Sequence, residues 1–164
     1  MARTVDNLTK MFLSNAESNI RYLAFAEAAD QEGRQGVAKA FRALAMSKMV
    51  HAISHFKATG LVDTTAENLK QASEEEKYDY KSAYPAMVQD AVKEDAIQGR
   101  HSLEYGLSIA PVIIKLIAKA MNNPDMESEG SYYICPVCGN IEFKTPSEKC
   151  PFCGVDVSQF TEIS

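Results

Sequence analysis

The sequence predicts a mostly α protein, a four-helix bundle followed by a small C-terminal metal-binding domain. Two observations carry this. From Asp6 to about Ala120 the chain is rich in Ala, Glu, Lys, Leu and Met and poor in Gly and Pro, and its apolar residues recur at helical spacing. All four cysteines then fall between residues 135 and 153 as two Cys-Pro-x-Cys-Gly units. Residues 122–131, a polar stretch containing Asn122-Asn-Pro-Asp, separate the two regions. The expected domains are therefore 1–121, a linker at 122–131, and 132–164.

The first helix is expected from about Asn7 to Asp30, ended by Gln31-Glu-Gly-Arg-Gln-Gly36. The second runs from about Val37 to Thr59, with Gly60 as its C-terminal cap. Thr64-Thr-Ala-Glu67 has capping-box spacing and opens the third helix, which continues to about Val92 with a kink at Pro85. The fourth follows at once and ends near Met121, with Pro111 inside it. The stretch from Gly60 to Thr64 is expected to carry the crossover between the second and third helices.

Helical spacing sorts the faces. The first helix has the stripe Leu13, Ile20, Ala24 and Ala28, with Glu17 in its middle. On the second, Lys48, His51 and His55 continue the stripe of Val37, Phe41 and Leu44. On the third, Glu76 and Asp79 accompany Leu69, Ala72, Ala83 and Met87. The fourth helix has a wholly apolar stripe of Leu103, Leu107, Ala110, Ile114 and Ile117, with Glu94, His101 and Glu104 pointing the other way. Isolated buried charges are costly, so the polar groups of the first three helices are expected to meet one another or a metal.

Cys135-Pro-Val-Cys138-Gly and Cys150-Pro-Phe-Cys153-Gly form two knuckles. A two-residue gap lets both sulfurs of a pair face one point, and the following glycine permits the turn that frees backbone amides to bond sulfur. Four thiolates suit one iron or one zinc ion. Tyr132, Tyr133, Phe143, Phe152 and Phe160 are the expected core of this module. Clustered cysteines behind a long cysteine-free region argue against a secreted disulfide scaffold. A net charge of −5 without a basic block argues against nucleic acid as the main partner. The polar N-terminus and the short apolar run at 107–121, interrupted by Lys115 and Lys119, lead to the expectation of a cytoplasmic protein with no membrane partner.

The two knuckles with Phe160 after them resemble a rubredoxin domain, where the ion is a one-electron iron; a zinc ribbon has the same ligands. Almost the whole chain resembles rubrerythrin. The residues that carry this are Asn15-Ala-Glu17-Ser-Asn-Ile-Arg-Tyr22, His51-Ala52, Glu76-Lys-Tyr-Asp79 with Tyr84-Pro85, and the knuckles. The resemblance implies a ferritin-like bundle with a rubredoxin-like tail, acting as a di-iron peroxidase fed with electrons through the rubredoxin iron. It also implies a homodimer, often with one subunit's rubredoxin near the other's bundle. The family's bundle ligands are matched by Glu17, His51 and Glu76. Asp79 replaces a glutamate, Lys48 stands in place of one bridging glutamate, and Ala110 and Ile113 stand in place of the last glutamate and histidine. Lys48 is expected to pair with Glu17, Glu76 and Asp79 and to repel a second cation, so no di-iron centre is expected.

Three functions are open at this point. The first is an electron-transfer protein of this family, with a partner protein as donor or acceptor. The second is a peroxide reductase working through an altered bundle site. The third is a non-catalytic protein with a structural zinc.

Overall fold

The computed structural model describes residues 3–123, 126 and 130–164. The chain divides into two compact units, Met1–Thr64 and Thr65–Ser164.

The first unit is a hairpin of α1 (Arg3–Gln31) and α2 (Gln35–Ala58). Its turn closes on Gly33, whose φ of 74° suits a residue without a Cβ. There Gly33 N–H donates to Asp30 O and Arg34 N–H to Ala29 O, at 2.9 and 2.8 Å. An Arg42–Asp30 ion pair of 2.7 Å braces the same end. The seam between the helices is built from small residues: Asn15, Ala26 and Ala29 on α1 face Ala38, Ala45 and Ala52 on α2. The seven-residue spacing on α2 keeps one narrow row toward its partner. Alanine lets the backbones come close, and Asn19 Nδ2 donates across the seam to Ala45 O at 2.7 Å.

This seam corrects the expected inward face of the first helix. Leu13 and Ile20, placed in the core by apolar spacing, are 58% and 65% exposed in the chain. Large apolar side chains drew the expected stripe, whereas the closest helix contact is made by alanines, which a hydrophobic pattern weights lightly.

In the second unit the third predicted helix is interrupted. α3 (Thr65–Tyr78) runs into a π turn, Asp79–Ala83, before α4 (Tyr84–Lys93) resumes the α pattern. Pro85 explains the change. It has no N–H to return to Lys81 O, and the π turn absorbs the mismatch, with Tyr84 N–H donating to Asp79 O. The chain turns at Asp95, with φ 54°, and α5 runs through Pro111 from Ile97 to Asn122. Glu94 therefore caps α4 and does not belong to the last helix. The apolar stripe of α5 is turned inward as expected: Ala110 is fully buried, and Leu103, Leu107, Ile114 and Ile117 are half-buried. Among the described residues no helix is long and apolar enough to cross a membrane.

The C-terminal module is a three-stranded antiparallel sheet in the order β2-β1-β3, with β1 at Tyr132–Ile134, β2 at Ile141–Phe143 and β3 at Thr161–Ile163. Half of the expected linker, residues 124, 125 and 127–129, lies outside the described residues. The module packs on α5: Ile109, 3% exposed, joins Cys135, Cys138 and Cys150 in one apolar cluster, with Tyr105, Ile113 and Phe160 against it. Tyr132 stacks on Phe143 at 4.7 Å, and Lys119 Nζ lies 5.1 Å from the Phe143 ring centre. Phe152, expected in the module core, is 44% exposed on a knuckle tip.

Candidate metal centre

The two knuckles repeat one hydrogen-bond pattern. Cys135 N–H donates to Asn140 O at 2.9 Å, and Gly139 N–H returns to Cys135 O at 3.0 Å. Fifteen residues on, by the offset of the two motifs, Cys150 N–H donates to Val155 O at 2.8 Å and Gly154 N–H to Cys150 O at 2.9 Å. Gly139 and Gly154 share a φ of 76°, the left-handed turn that a side chain would strain. Each loop is thereby folded tightly enough for its amides to point at sulfur. Asn140 N–H bonds Cys138 Sγ, the amides of Phe152 and Cys153 bond Cys150 Sγ, and Val155 N–H bonds Cys153 Sγ.

The sulfurs pair across the knuckles. Cys135 Sγ is 3.5 Å from Cys153 Sγ, and Cys138 Sγ is 3.5 Å from Cys150 Sγ. All four lie within 4.8 Å of one another, and none is in a disulfide. A tetrahedral ion with metal–sulfur bonds of about 2.3 Å needs sulfur–sulfur edges of about 3.8 Å. The four atoms thus stand close to the corners such an ion requires.

Cys135, Cys138 and Cys150 are buried and Cys153 is half-buried. Burial pushes the Cys138 thiol up. At Cys150 burial acts in the same sense, but the amides of Cys153 and Phe152 and the neighbouring thiols outweigh it and bring the group down to about 7. A site that assembles four thiols in an apolar pocket and aims amides at them is arranged to hold thiolates around a cation. Val137 and Phe152, between the two cysteines of each knuckle, are 50% and 44% exposed.

The bundle residues singled out by sequence divide between the two units. Glu17 is an exposed group of the hairpin, its carboxylate 3.5 Å from Arg21 and not paired with Lys48. Lys48 and His55 are half-buried and His51 is exposed on α2, with the two imidazole centroids 6.3 Å apart. Glu76 and Asp79 are half-buried at the start of the π turn. Burial, then the charges of Asp79 and Glu75, raise the Glu76 carboxyl above its ordinary value. Ala110 brings no donor to its buried position, and Ile113 packs against the cysteine cluster.

Sequence reasoning passed over Asn15, which is 3% exposed and is the buried polar residue of α1, its Nδ2 donating to Met11 O at 2.7 Å. Its position one heptad before Tyr22, on the alanine row, was the available signal.

The family model described as the rubrerythrin, rubredoxin-like domain matches residues 133–161. Across 97% of its length the chain is 27% identical to rubrerythrin-2 of Clostridium acetobutylicum, covering 96% of that relative. It is 24% identical to nigerythrin of Nitratidesulfovibrio vulgaris, over 96% of this chain and 85% of the relative. Solved structures of nigerythrin in a fully reduced, all-ferrous state and in a partially reduced state align with TM-scores of 0.58 and 0.60 at 23% identity. They cover 99% of this chain and 88% of theirs. The fold is therefore the ferritin-like four-helix bundle with a C-terminal rubredoxin-like domain.

Proposed function

We propose that this chain is a member of the rubrerythrin family, to whose proteins it is similar over nearly its whole length, that it carries single electrons at a tetrathiolate iron, and that it has no di-iron centre in its bundle. The observation that carries the reading is the convergence of Cys135, Cys138, Cys150 and Cys153 within 4.8 Å. Iron bound by four thiolates supplies a one-electron couple. The protein's part is to hold the sulfurs in place through the two knuckles, to stabilise their charge with the amides of Asn140, Phe152, Cys153 and Val155, and to limit water with the apolar residues packed on the cysteines, Ile109 and Phe160 among them. Fixed ligands and a small rearrangement suit electron transfer to a partner protein.

For the bundle, the support is chemical. Two ferrous ions bring four positive charges and require several carboxylates. Lys48 adds a cation instead, and Ala110 and Ile113 supply no ligand. The test is a reductive titration of protein purified without added metal. The expected result is one electron per chain, with bleaching of a ferric-thiolate colour that is absent in Cys153→Ser. Uptake of three electrons per chain, or a colourless protein that takes up none, contradicts the reading.

A further inference from the structure

Charge is unevenly distributed in the second unit. The chain has a net charge of −5, yet residues 105–123 carry Lys115 and Lys119 and no acid. The two lysines stand one helical turn apart on α5, on one side of it, and both are exposed. Neither makes an ion pair within 4.0 Å among the described residues. They border a groove of about 230 Å³ between α5 and the sheet, whose apolar walls include Val112, Tyr132, Ile141 and Phe143. Lys144 joins them from the sheet side. Its Nζ lies 5.5 Å from the centre of the Phe143 ring, which Lys119 Nζ approaches to 5.1 Å. Glu142 also lines the groove, but its carboxylate accepts from Asn140 Nδ2, Ser147 N and Ser147 Oγ at 3.1, 2.8 and 3.0 Å. Like charges four apart on a helix destabilise it, so stability does not account for this cluster.

The groove also reaches the cysteines. Val112 lines it and packs against the cluster of Ile109, Cys135, Cys138 and Cys150. Ile141 lines it and follows Asn140, whose amide bonds Cys138 Sγ and whose carbonyl accepts from Cys135 N–H. Val112 thus links a molecule seated in the groove to the ligand cluster by direct packing, the short path that electron tunnelling favours.

We propose that this groove is the docking face for an acidic electron-carrier protein, which sets carboxylates against Lys115, Lys119 and Lys144 and an apolar edge against Tyr132 and Phe143. The proposal rests on the electron-transfer reading above. One electron moves: the carrier is oxidised, the ferric tetrathiolate becomes ferrous, and no bond forms or breaks. Two acidic proteins repel at long range. A local positive face overcomes this in one orientation, the one that brings the carrier to the cysteines.

The test mixes a reduced plant-type two-iron ferredoxin, an acidic carrier, with the oxidised iron-loaded protein in a stopped-flow instrument. Two proteins of like net charge react faster as salt screens them. Docking on the lysines predicts the opposite, a rate that falls about tenfold between low salt and about 0.5 M. Lys115→Glu with Lys119→Glu should lower the low-salt rate about tenfold. Lys10→Glu with Lys39→Glu, the same change of net charge on the hairpin, should lower it far less. A rate that rises with salt, or equal rates for the two double variants, overturns the proposal. Should the first variant not fold, the salt dependence of the native protein decides. Isothermal titration with oxidised ferredoxin requires no redox step and decides the docking face whichever metal the cysteines hold: binding should be lost in the first variant and kept in the second, and no binding to the native protein overturns the proposal. So does a change in the first variant's own mass by light scattering, which would place a second copy of the chain in the groove. Photoreduced deazariboflavin, an uncharged reductant, tests the electron-transfer reading separately. A protein that it cannot reduce contradicts that reading, and the titration still decides the docking face.

Discussion

At the scale of single residues, the cysteine site depends on ligands that act together. Replacing Cys153 by Ser leaves three thiolates, so the variant should lose the tetrathiolate spectrum and most of its bound metal, as measured by elemental analysis. Ligand thiols must shed protons to bind, so chelator-driven metal loss should accelerate as pH falls. Asp156 contributes separately. Its carboxylate accepts from Ser158 Oγ and Ser158 N, at 2.7 and 2.9 Å, capping the short turn Val157–Gln159. The Ser158 hydroxyl, then its amide, hold the Asp156 carboxyl below its ordinary value. A depressed acid stabilises the fold above the unfolded-state value and loses that contribution as pH falls through the folded one. Asp156→Ala should therefore lower Tm at pH 7, with a difference from the parent that shrinks toward pH 3.

At this scale the sequence was legible where chemistry fixes spacing. Cys-Pro-x-Cys-Gly twice over requires two similar turns, and both are present with matching hydrogen bonds. Glu17 lies on the exposed side of the hairpin because the close contact between α1 and α2 follows the alanines, which helical angle alone does not single out.

At the scale of elements, α5 and the start of α4 are fitted to each other through Gly106. A Cβ at Gly106 would lie 2.5 Å from the Tyr84 ring. Helix propensity alone predicts that Gly106→Ala gains about 1 kcal/mol. The Tyr84 contact reverses the sign, and the expected outcome in urea unfolding is a loss of roughly 1–3 kcal/mol, as for overpacked cores. Restoring space with Tyr84→Ala in the same chain should recover part of the loss relative to Tyr84→Ala alone. The apolar stripe of α5 was legible because strong periodicity marks it, and the end of α2 because Gly60, with φ 77°, follows it. The π turn was not: Pro85 announces a break in the hydrogen-bond ladder, but not whether the chain kinks or inserts a residue.

At the scale of the whole molecule, a ferritin-like helical bundle is joined to a rubredoxin-like domain that gathers four cysteines. The fold class and the cysteine domain could be read from composition and spacing. The central claim is that this chain keeps the thiolate iron and lacks the two bundle irons. The most direct measurement is metal content per chain, with a visible spectrum, on anaerobically purified protein from iron-replete cells. One iron per chain, red when oxidised, is the predicted result. Three irons per chain, or one zinc without colour, would contradict it.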